Sequence, residues 1–193
     1  TGRTSEFAKN AKIIHVDIDP SSISKIINAH FPIVGDLANV LEELIPKVEA
    51  KPERFSEWRE ILANYGKLNP TFYDDSDEVL KPQWVVEQTA KIAGKDAVIS
   101  TDVGQHQMWA AQFLTFNNPY SILTSGGAGT MGFGLPAAIG AQVAKPDTKV
   151  VLVVGDGGFQ MTFQELMMIK QYNLPVKVLI INNSFLGMVR QWQ

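Results

Sequence analysis

Asp156 and Asn183 each carry a side-chain oxygen just past an apolar run, in a pattern suited to holding a hard cation. The first run, Lys149-Val150-Val151-Leu152-Val153-Val154, leads into Gly155-Asp156-Gly157. The second, Val176-Lys177-Val178-Leu179-Ile180-Ile181, leads into Asn182-Asn183, with twenty-four residues between the two motifs. Both runs are short and β-branched, as strands covered on both faces are, and neither is long enough for a helix. Between them Thr162-Phe163-Gln164-Glu165 has the form of a capping box, followed by Leu166, Met167, Ile169 and Lys170 and closed by Asn173 and Pro175. The pattern predicts strand, helix, strand. A right-handed crossover returns the second strand parallel to the first, so both end on the same side of a sheet. With adjacent strands about 4.8 Å apart, a carboxylate and a side-chain amide there can share one cation that also bridges to phosphate oxygens; Mg²⁺ is the natural occupant. Gly155, Gly157 and Gly158 leave the backbone room to approach a bulky anion, and the following helix offers N–H groups to it. Either motif alone reads as a turn or a strand exit. Their combination points to a metal-diphosphate site.

That combination resembles the signature of thiamine-diphosphate enzymes. The runs from Thr124 to Ala141 and from Gly155 to Gln193 are more closely similar to the catalytic large subunit of the acetohydroxyacid synthase (acetolactate synthase) family, and the resemblance covers nearly the whole chain. It is most specific at the Gly-Asp-Gly to Asn-Asn segment and the ending Gly187 to Gln193, and least specific over residues 50–80. The resemblance implies that Asp156, Asn183 and the main-chain carbonyl of Phe185 hold Mg²⁺. It assigns Gly155, Gly157, Gly158, Gln105 and His106 to the diphosphate, and places Met188 beside the cofactor with Asn183. Gly129 and Met131 match the positions that hold the aminopyrimidine, Met131 also propping the cofactor in its bent shape. Val189 and Trp192 match substrate positions, Trp192 lining the pocket for the second oxo acid. Read without the resemblance, His106 is an ordinary loop histidine, and Met188, Val189 and Trp192 form a helical packing stripe.

By the same resemblance, pyruvate is decarboxylated with a thiazolium electron sink, and the two-carbon unit joins a second pyruvate or 2-oxobutanoate. The acetohydroxy acids so formed lead to branched-chain amino acids. The family implies a homodimer or tetramer and a regulatory small subunit. Two departures stand out. Gly158 occupies a position where serine or another small residue often occurs, a mild change. The glutamate that activates the pyrimidine comes from an N-terminal domain across a dimer interface, and no residue here takes that role, so no catalytic residue is assigned and the chain alone is expected to be inactive. The first fifty residues resemble the latter half of the family's middle domain, which binds FAD without redox use; Asp17, Ile18, Gly35 and Asp36 match its flavin contacts, although strand-end acids also serve as solubilising caps.

The elements that must position these residues suit an α/β architecture: an open, mainly parallel sheet with helices on both faces, preceded by part of a second α/β domain. Residues 1–50 read as the end of a middle domain, 51–81 as a helix and linker, and 82–193 as the cofactor-binding domain, truncated at its C-terminus. Lys12–Ile18 reads as a strand, with Pro20-Ser21-Ser22 turning into a polar helix, and Phe31–Val34 as another strand. Residues 37–49 suit a helix that Pro46 breaks or restarts. A helix through Ile92, a strand Ala97–Thr101 and a helix Leu135–Ala144 follow. Gly127-Ala128-Gly129-Thr130-Met131-Gly132 has the G-x-G-x-x-G form of dinucleotide sites, but the run before it is short and Asp147 lies in a loop ahead of the next strand, not at a strand end. Nicotinamide binding is therefore the weaker alternative. A thiamine-dependent oxidase or decarboxylase, and a non-catalytic interaction module, are the others.

Composition fits a piece of an enzyme: 45% hydrophobic, 19% charged, formal net charge -3. This implies neither a nucleic-acid nor a membrane partner. No cysteine, signal-peptide pattern or long apolar run is present, which makes the cytoplasm, or an organelle after import, the expected compartment. The chain opens on Thr1-Gly2-Arg3 without methionine and stops at Gln193, and reads as cut at both ends.

Overall fold

Two short apolar runs pair in parallel as β1 (Ile14–Asp17) and β2 (Phe31–Val34) in the computed structural model, which describes residues 3–68 and 70–193. Thr1, Gly2 and Asn69, which fall in the expected middle-domain segment and linker, lie outside the described residues. The chain divides into two compact units, Thr1–Asn69 and Pro70–Gln193. In the first, the ladder aligns Asp17 with Val34, and the Gly35 N–H donates to the Asp17 carbonyl at 3.0 Å, extending the pairing by one residue. Asp36 caps α1 (Leu37–Leu44), its Oδ1 accepting from the N–H groups of Ala38 at 2.9 Å and Asn39 at 3.2 Å. Pro46 falls in a 3₁₀ turn, Ile45–Lys47, where its missing N–H costs nothing, and α2 (Ser56–Leu68) follows.

The polar helix expected after Pro20 is not formed. Asp19 accepts from the Ser21 N–H at 2.8 Å and the Ser21 hydroxyl at 2.7 Å, and Ser24 adopts a positive φ of 59°, so local side-chain bonds hold a chain of turns in its place.

The second unit is a four-stranded, wholly parallel sheet in the order β4-β3-β5-β6, with β3 (Val98–Thr101), β4 (Ile122–Leu123), β5 (Val150–Gly155) and β6 (Lys177–Ile181). α3 (Pro82–Ala93) precedes the sheet; the crossovers that parallel strands need are α4 (Gln105–Phe113), α5 (Gly134–Ala144), and α6 (Asp156–Thr162) with α7 (Leu166–Gln171), and α8 (Gly187–Trp192) comes last. Residues 150–154 are all buried because the sheet is covered on both faces. Val151 and Val153 pack with Val86 of α3 and Ala110 of α4, while Val150, Leu152 and Val154 pack with Leu135, Ala138 and Ile139 of α5. Period-two alternation thus sends a continuous apolar run into two separate cores.

The capping box requires correction. Helix begins at Asp156, ahead of Thr162, despite the cost of two glycines in its first turn. Thr162 makes no cap; it sits at φ -136° between α6 and the 3₁₀ turn Phe163–Glu165, and its hydroxyl donates to the Gly132 carbonyl at 3.1 Å. The crossover between β5 and β6 is therefore three short helical pieces, bent where Thr162 reaches sideways for another loop.

Candidate functional site

β5 and β6 are immediate neighbours, with Gly155 opposite Ile181, so Asp156 and the Asn182-Asn183 pair leave the sheet side by side. A cleft opens at these strand ends. Of the residues singled out from sequence, Gln105, His106, Met131, Gly155, Asp156, Gly157, Gly158, Asn183, Phe185, Met188 and Val189 line it, together with Trp109, Leu186 and Gly187. Gly129 and Trp192 do not line it, and Trp192 is 82% exposed on α8. Asp17, Ile18, Gly35 and Asp36 belong to the first unit, gathered at the ends of its two strands, with Ile18 largely exposed.

The oxygen donors are arranged by short turns. Asn183 Oδ1 accepts from the Phe185 N–H at 3.0 Å, and Asn183 Nδ2 donates to Gln105 Oε1 at 3.4 Å. This fixes which end of the amide presents oxygen. The Arg190 guanidinium lies 3.9 Å from the centroid of the Phe185 ring, restraining the residue whose carbonyl is the third expected donor. Among the described residues no three His, Asp or Glu side chains converge as a metal cluster. The donor set here has a different chemistry: one carboxylate, Asp156, with neutral oxygens from Asn183 and Phe185. Such a set leaves a divalent cation with positive charge to share with phosphate, which is how Mg²⁺ is held at diphosphate sites.

The three glycines around Asp156 do something other than leave open space. A Cβ on Gly155 would meet His106 Nδ1 at 3.0 Å, one on Gly157 would meet Leu186 Cδ2 at 2.5 Å, and one on Gly158 would overlap the Asp102 carboxylate. Protein side chains already occupy those volumes. The expectation that Gly158 is a mild departure is revised accordingly, since any side chain there must displace Asp102. What the glycines leave free is backbone: the first N–H groups of α6 have no acceptor within the helix and stand at the cleft.

His106, at the start of α4, is buried, and its Nε2 has no hydrogen-bond partner. Burial holds its pKa below the ordinary histidine value; the Asp102 charge, a hydrogen bond to the Asp102 main chain and the Asp156 charge pull it back only in part. The ring is thus neutral at physiological pH, with its Nε2 buried and unpaired. An orphaned polar atom of this kind is costly; it is the free backbone N–H groups at the start of α6 that fit the residues present to an anionic, hydrogen-bonding cofactor.

The loop after β4 closes on itself. The Gly129 N–H donates to the Ser125 carbonyl at 3.2 Å and the Thr130 N–H to the Ser125 hydroxyl at 3.1 Å, with Gly129 at φ 64°. Gln107 Nε2 ties the loop to α4 through the Thr124 hydroxyl at 2.8 Å. The loop delivers Met131 to the cleft, where its Cε would lie 3.9 Å from a Cβ on Gly157. The residue that sequence reading passed over is Asp102. Its carboxylate accepts from the Gly132 N–H at 3.0 Å and the Gly134 N–H at 2.7 Å, deep in the protein. A signal was available: Asp102 follows a β-branched run and precedes a glycine by two residues, much as Asp156 does.

The chain is similar to proteins of one known family. Residues 102–193 match the family model for the C-terminal TPP binding domain of thiamine pyrophosphate enzymes, and residues 1–44 match the model for their central domain. The chain is 45% identical over 208 residues to a probable acetolactate synthase large subunit of Methanococcus aeolicus, with 100% of the chain and 35% of that protein covered. It is 49% identical over 198 residues to an acetolactate synthase of Mycobacterium bovis, covering 100% of the chain and 32% of the relative. Against the acetolactate synthase large subunit of Lactococcus lactis it is 44% identical over 186 residues, covering 96% and 32%. The chain spans about a third of the length of these curated relatives.

Proposed function

We infer, for a chain that belongs to the thiamine pyrophosphate enzymes, that it is part of the catalytic large subunit of an acetolactate synthase. One observation carries the reading: neighbouring parallel strands bring Asp156, Asn183 and Phe185 to the same cleft as Gly157, Gly158 and Met131. Asp156, Asn183 and the Phe185 carbonyl hold Mg²⁺. The backbone of Gly157 and Gly158, with Gln105 and His106, holds the diphosphate, and Met131 and Gly129 hold the aminopyrimidine. When bound, thiamine diphosphate supplies an electron sink for decarboxylation of a 2-oxo acid. The chain's own residues bind it, orient it and exclude water from it. Met188 lies beside the cofactor, and Val189 meets the substrate, with Trp192 for the second oxo acid.

The substrates of the whole protein are two molecules of pyruvate, or pyruvate and 2-oxobutanoate, and the products are CO₂ and an acetohydroxy acid. The central-domain segment holds FAD in the full-length protein through Asp17, Ile18, Gly35 and Asp36, without redox use. The working form is a homodimer or tetramer with a regulatory small subunit, in the cytoplasm or in an organelle after import. No helix among the described residues is long and apolar enough to cross a membrane.

Calorimetry on the full-length chain tests the site. Thiamine diphosphate binds in the presence of Mg²⁺ and weakens sharply without it, and Asp156→Ala abolishes the metal dependence. Equal affinity with and without Mg²⁺ would remove the metal from the reading. Product analysis with pyruvate then separates acetolactate formation from simple decarboxylation or oxidation.

A further inference from the structure

Asp102 is a buried carboxylate for which the proposed chemistry has no use, and it stands where the parts of the site meet. Its N–H donates to the Val153 carbonyl at 3.0 Å, fastening the end of β3 to β5, the strand that carries Asp156. Its carboxylate fills the volume a Cβ on Gly158 would need, so the first turn of α6 rests directly on it. Its two oxygens take the N–H groups of Gly132 and Gly134, one on each side of the loop's last turn into α5.

A buried carboxylate is tolerated only where its oxygens are hydrogen-bonded, and here the donors are backbone N–H groups of Gly132 in the loop and Gly134 at the start of α5. Burial of the carboxylate and loop conformation are therefore conditional on each other. Gly132 has φ 85°, a backbone state that other residues rarely adopt, and it lies outside any helix or strand that would maintain it. Two hydroxyls assist: Ser100 donates to the Gly134 carbonyl at 2.8 Å and Thr162 to the Gly132 carbonyl at 3.1 Å.

We propose that Asp102 is a positioning residue for the cofactor: by gripping Gly132 and Gly134 it holds Met131 against Gly157, fixing the separation between the pyrimidine-binding loop and the diphosphate-binding turn. The inference rests on the thiamine-diphosphate reading of the cleft. Asp102 makes no hydrogen bond to any of the three expected metal ligands, and a substitution that keeps its volume leaves the support beneath Gly158 in place, so loss of its grip on the loop is felt by a ligand that spans both loop and turn and not by the diphosphate anchor alone.

The test uses the full-length chain, calorimetry and two probes in saturating Mg²⁺: thiamine diphosphate and inorganic pyrophosphate. Asp102→Asn preserves shape but turns one acceptor into a donor aimed at an N–H. Thiamine diphosphate binding is expected to weaken about ten-fold or more, with pyrophosphate binding held within about two-fold. Equal weakening of both probes, or of neither, overturns the proposal. Wild-type protein that fails to bind thiamine diphosphate overturns the underlying reading as well, whereas wild-type binding with an unaffected Asp102→Asn overturns this inference alone. Thr162→Val loosens Gly132 from the other side without touching the carboxylate; the same selective loss is expected at about three-fold, and it decides the matter if Asp102→Asn does not fold, no loss or an unselective one counting against.

Discussion

The side-chain amide of Asn183 is held from both ends, its Nδ2 donating to Gln105 Oε1 at 3.4 Å and its Oδ1 accepting from the Phe185 N–H at 3.0 Å. Gln105 is in turn hemmed in by Gly187, where a Cβ would overlap its amide oxygen. Asn183 thus owes its orientation to a residue on α4 that has no expected contact with the metal.

Gln105→Ala is expected to weaken Mg²⁺-dependent thiamine diphosphate binding about three- to ten-fold, through loss of its own contact to the diphosphate and of its long bond to Asn183. Gly187→Ala pushes the same amide aside and should produce a similar loss. Because both act through one side chain, the double variant should fall well short of the sum of the two single effects. Calorimetric affinities for the four proteins check this; strict additivity would mean that Gln105 and Gly187 act separately.

Two glycines in α5 make a contrasting pair. A Cβ on Gly134 would lie 2.7 Å from the Asp102 backbone nitrogen and 2.8 Å from Leu152 Cδ1, whereas one on Gly140 meets nothing within 4 Å. Backbone does not yield as a side chain tip does. Gly134→Ala is expected to destabilise by about 1–3 kcal/mol, and Gly140→Ala to stabilise by about 0.5–1 kcal/mol, because alanine is the better residue in a helix interior. Urea midpoints measured at unchanged slope report both signs.

The buried neutral ring of His106 makes stability depend on pH with a definite sign. Burial lowers its pKa in the folded state below the unfolded value of about 6.5. As pH falls past that value the unfolded chain takes up a proton that the folded chain resists, so the contribution is present at neutral pH and is lost as pH falls through the lowered folded pKa. His106→Gln removes the titration. Its thermal midpoint is expected to fall less than that of wild type between about pH 7.5 and about pH 5; equal falls would show that the ring protonates as readily folded as unfolded.

What was legible in the sequence was what local patterning dictates. The runs ending at Val154 and Ile181 read as strands, and a right-handed crossover then made them parallel; only the first is covered on both faces, since β6 lies at the sheet edge with Ile180 42% exposed. That is why the cleft residues on β5, β6 and their exits could be named in advance. Capping at Thr162 could not be judged locally, because its hydroxyl serves Gly132, thirty positions away. The helix after Pro20 failed for a related reason, since Asp19 and the serines beside it offer the backbone local partners that compete with helical ones. Asp102 ends a β-branched run ahead of a glycine, a signal that marks the position but not its role, because its donors are backbone N–H groups that no residue type reveals.

Trp192 sets the last expectation, because its position separates binding the cofactor from choosing the substrate. Val189 lines the cleft, and Trp192, three residues on along α8, stands outside it and is 82% exposed. Trp192→Leu should therefore leave thiamine diphosphate affinity unchanged. A large ring at the rim acts on the second oxo acid only through shape, and one methylene is worth about 1–3 kcal/mol in such a pocket. In the full-length enzyme, competing pyruvate against 2-oxobutanoate, the variant should shift the ratio of the two acetohydroxy acids by about ten-fold or more toward the smaller product. An unchanged ratio with unchanged cofactor affinity would make Trp192 a surface residue; a loss of cofactor affinity would instead draw α8 into the cofactor site.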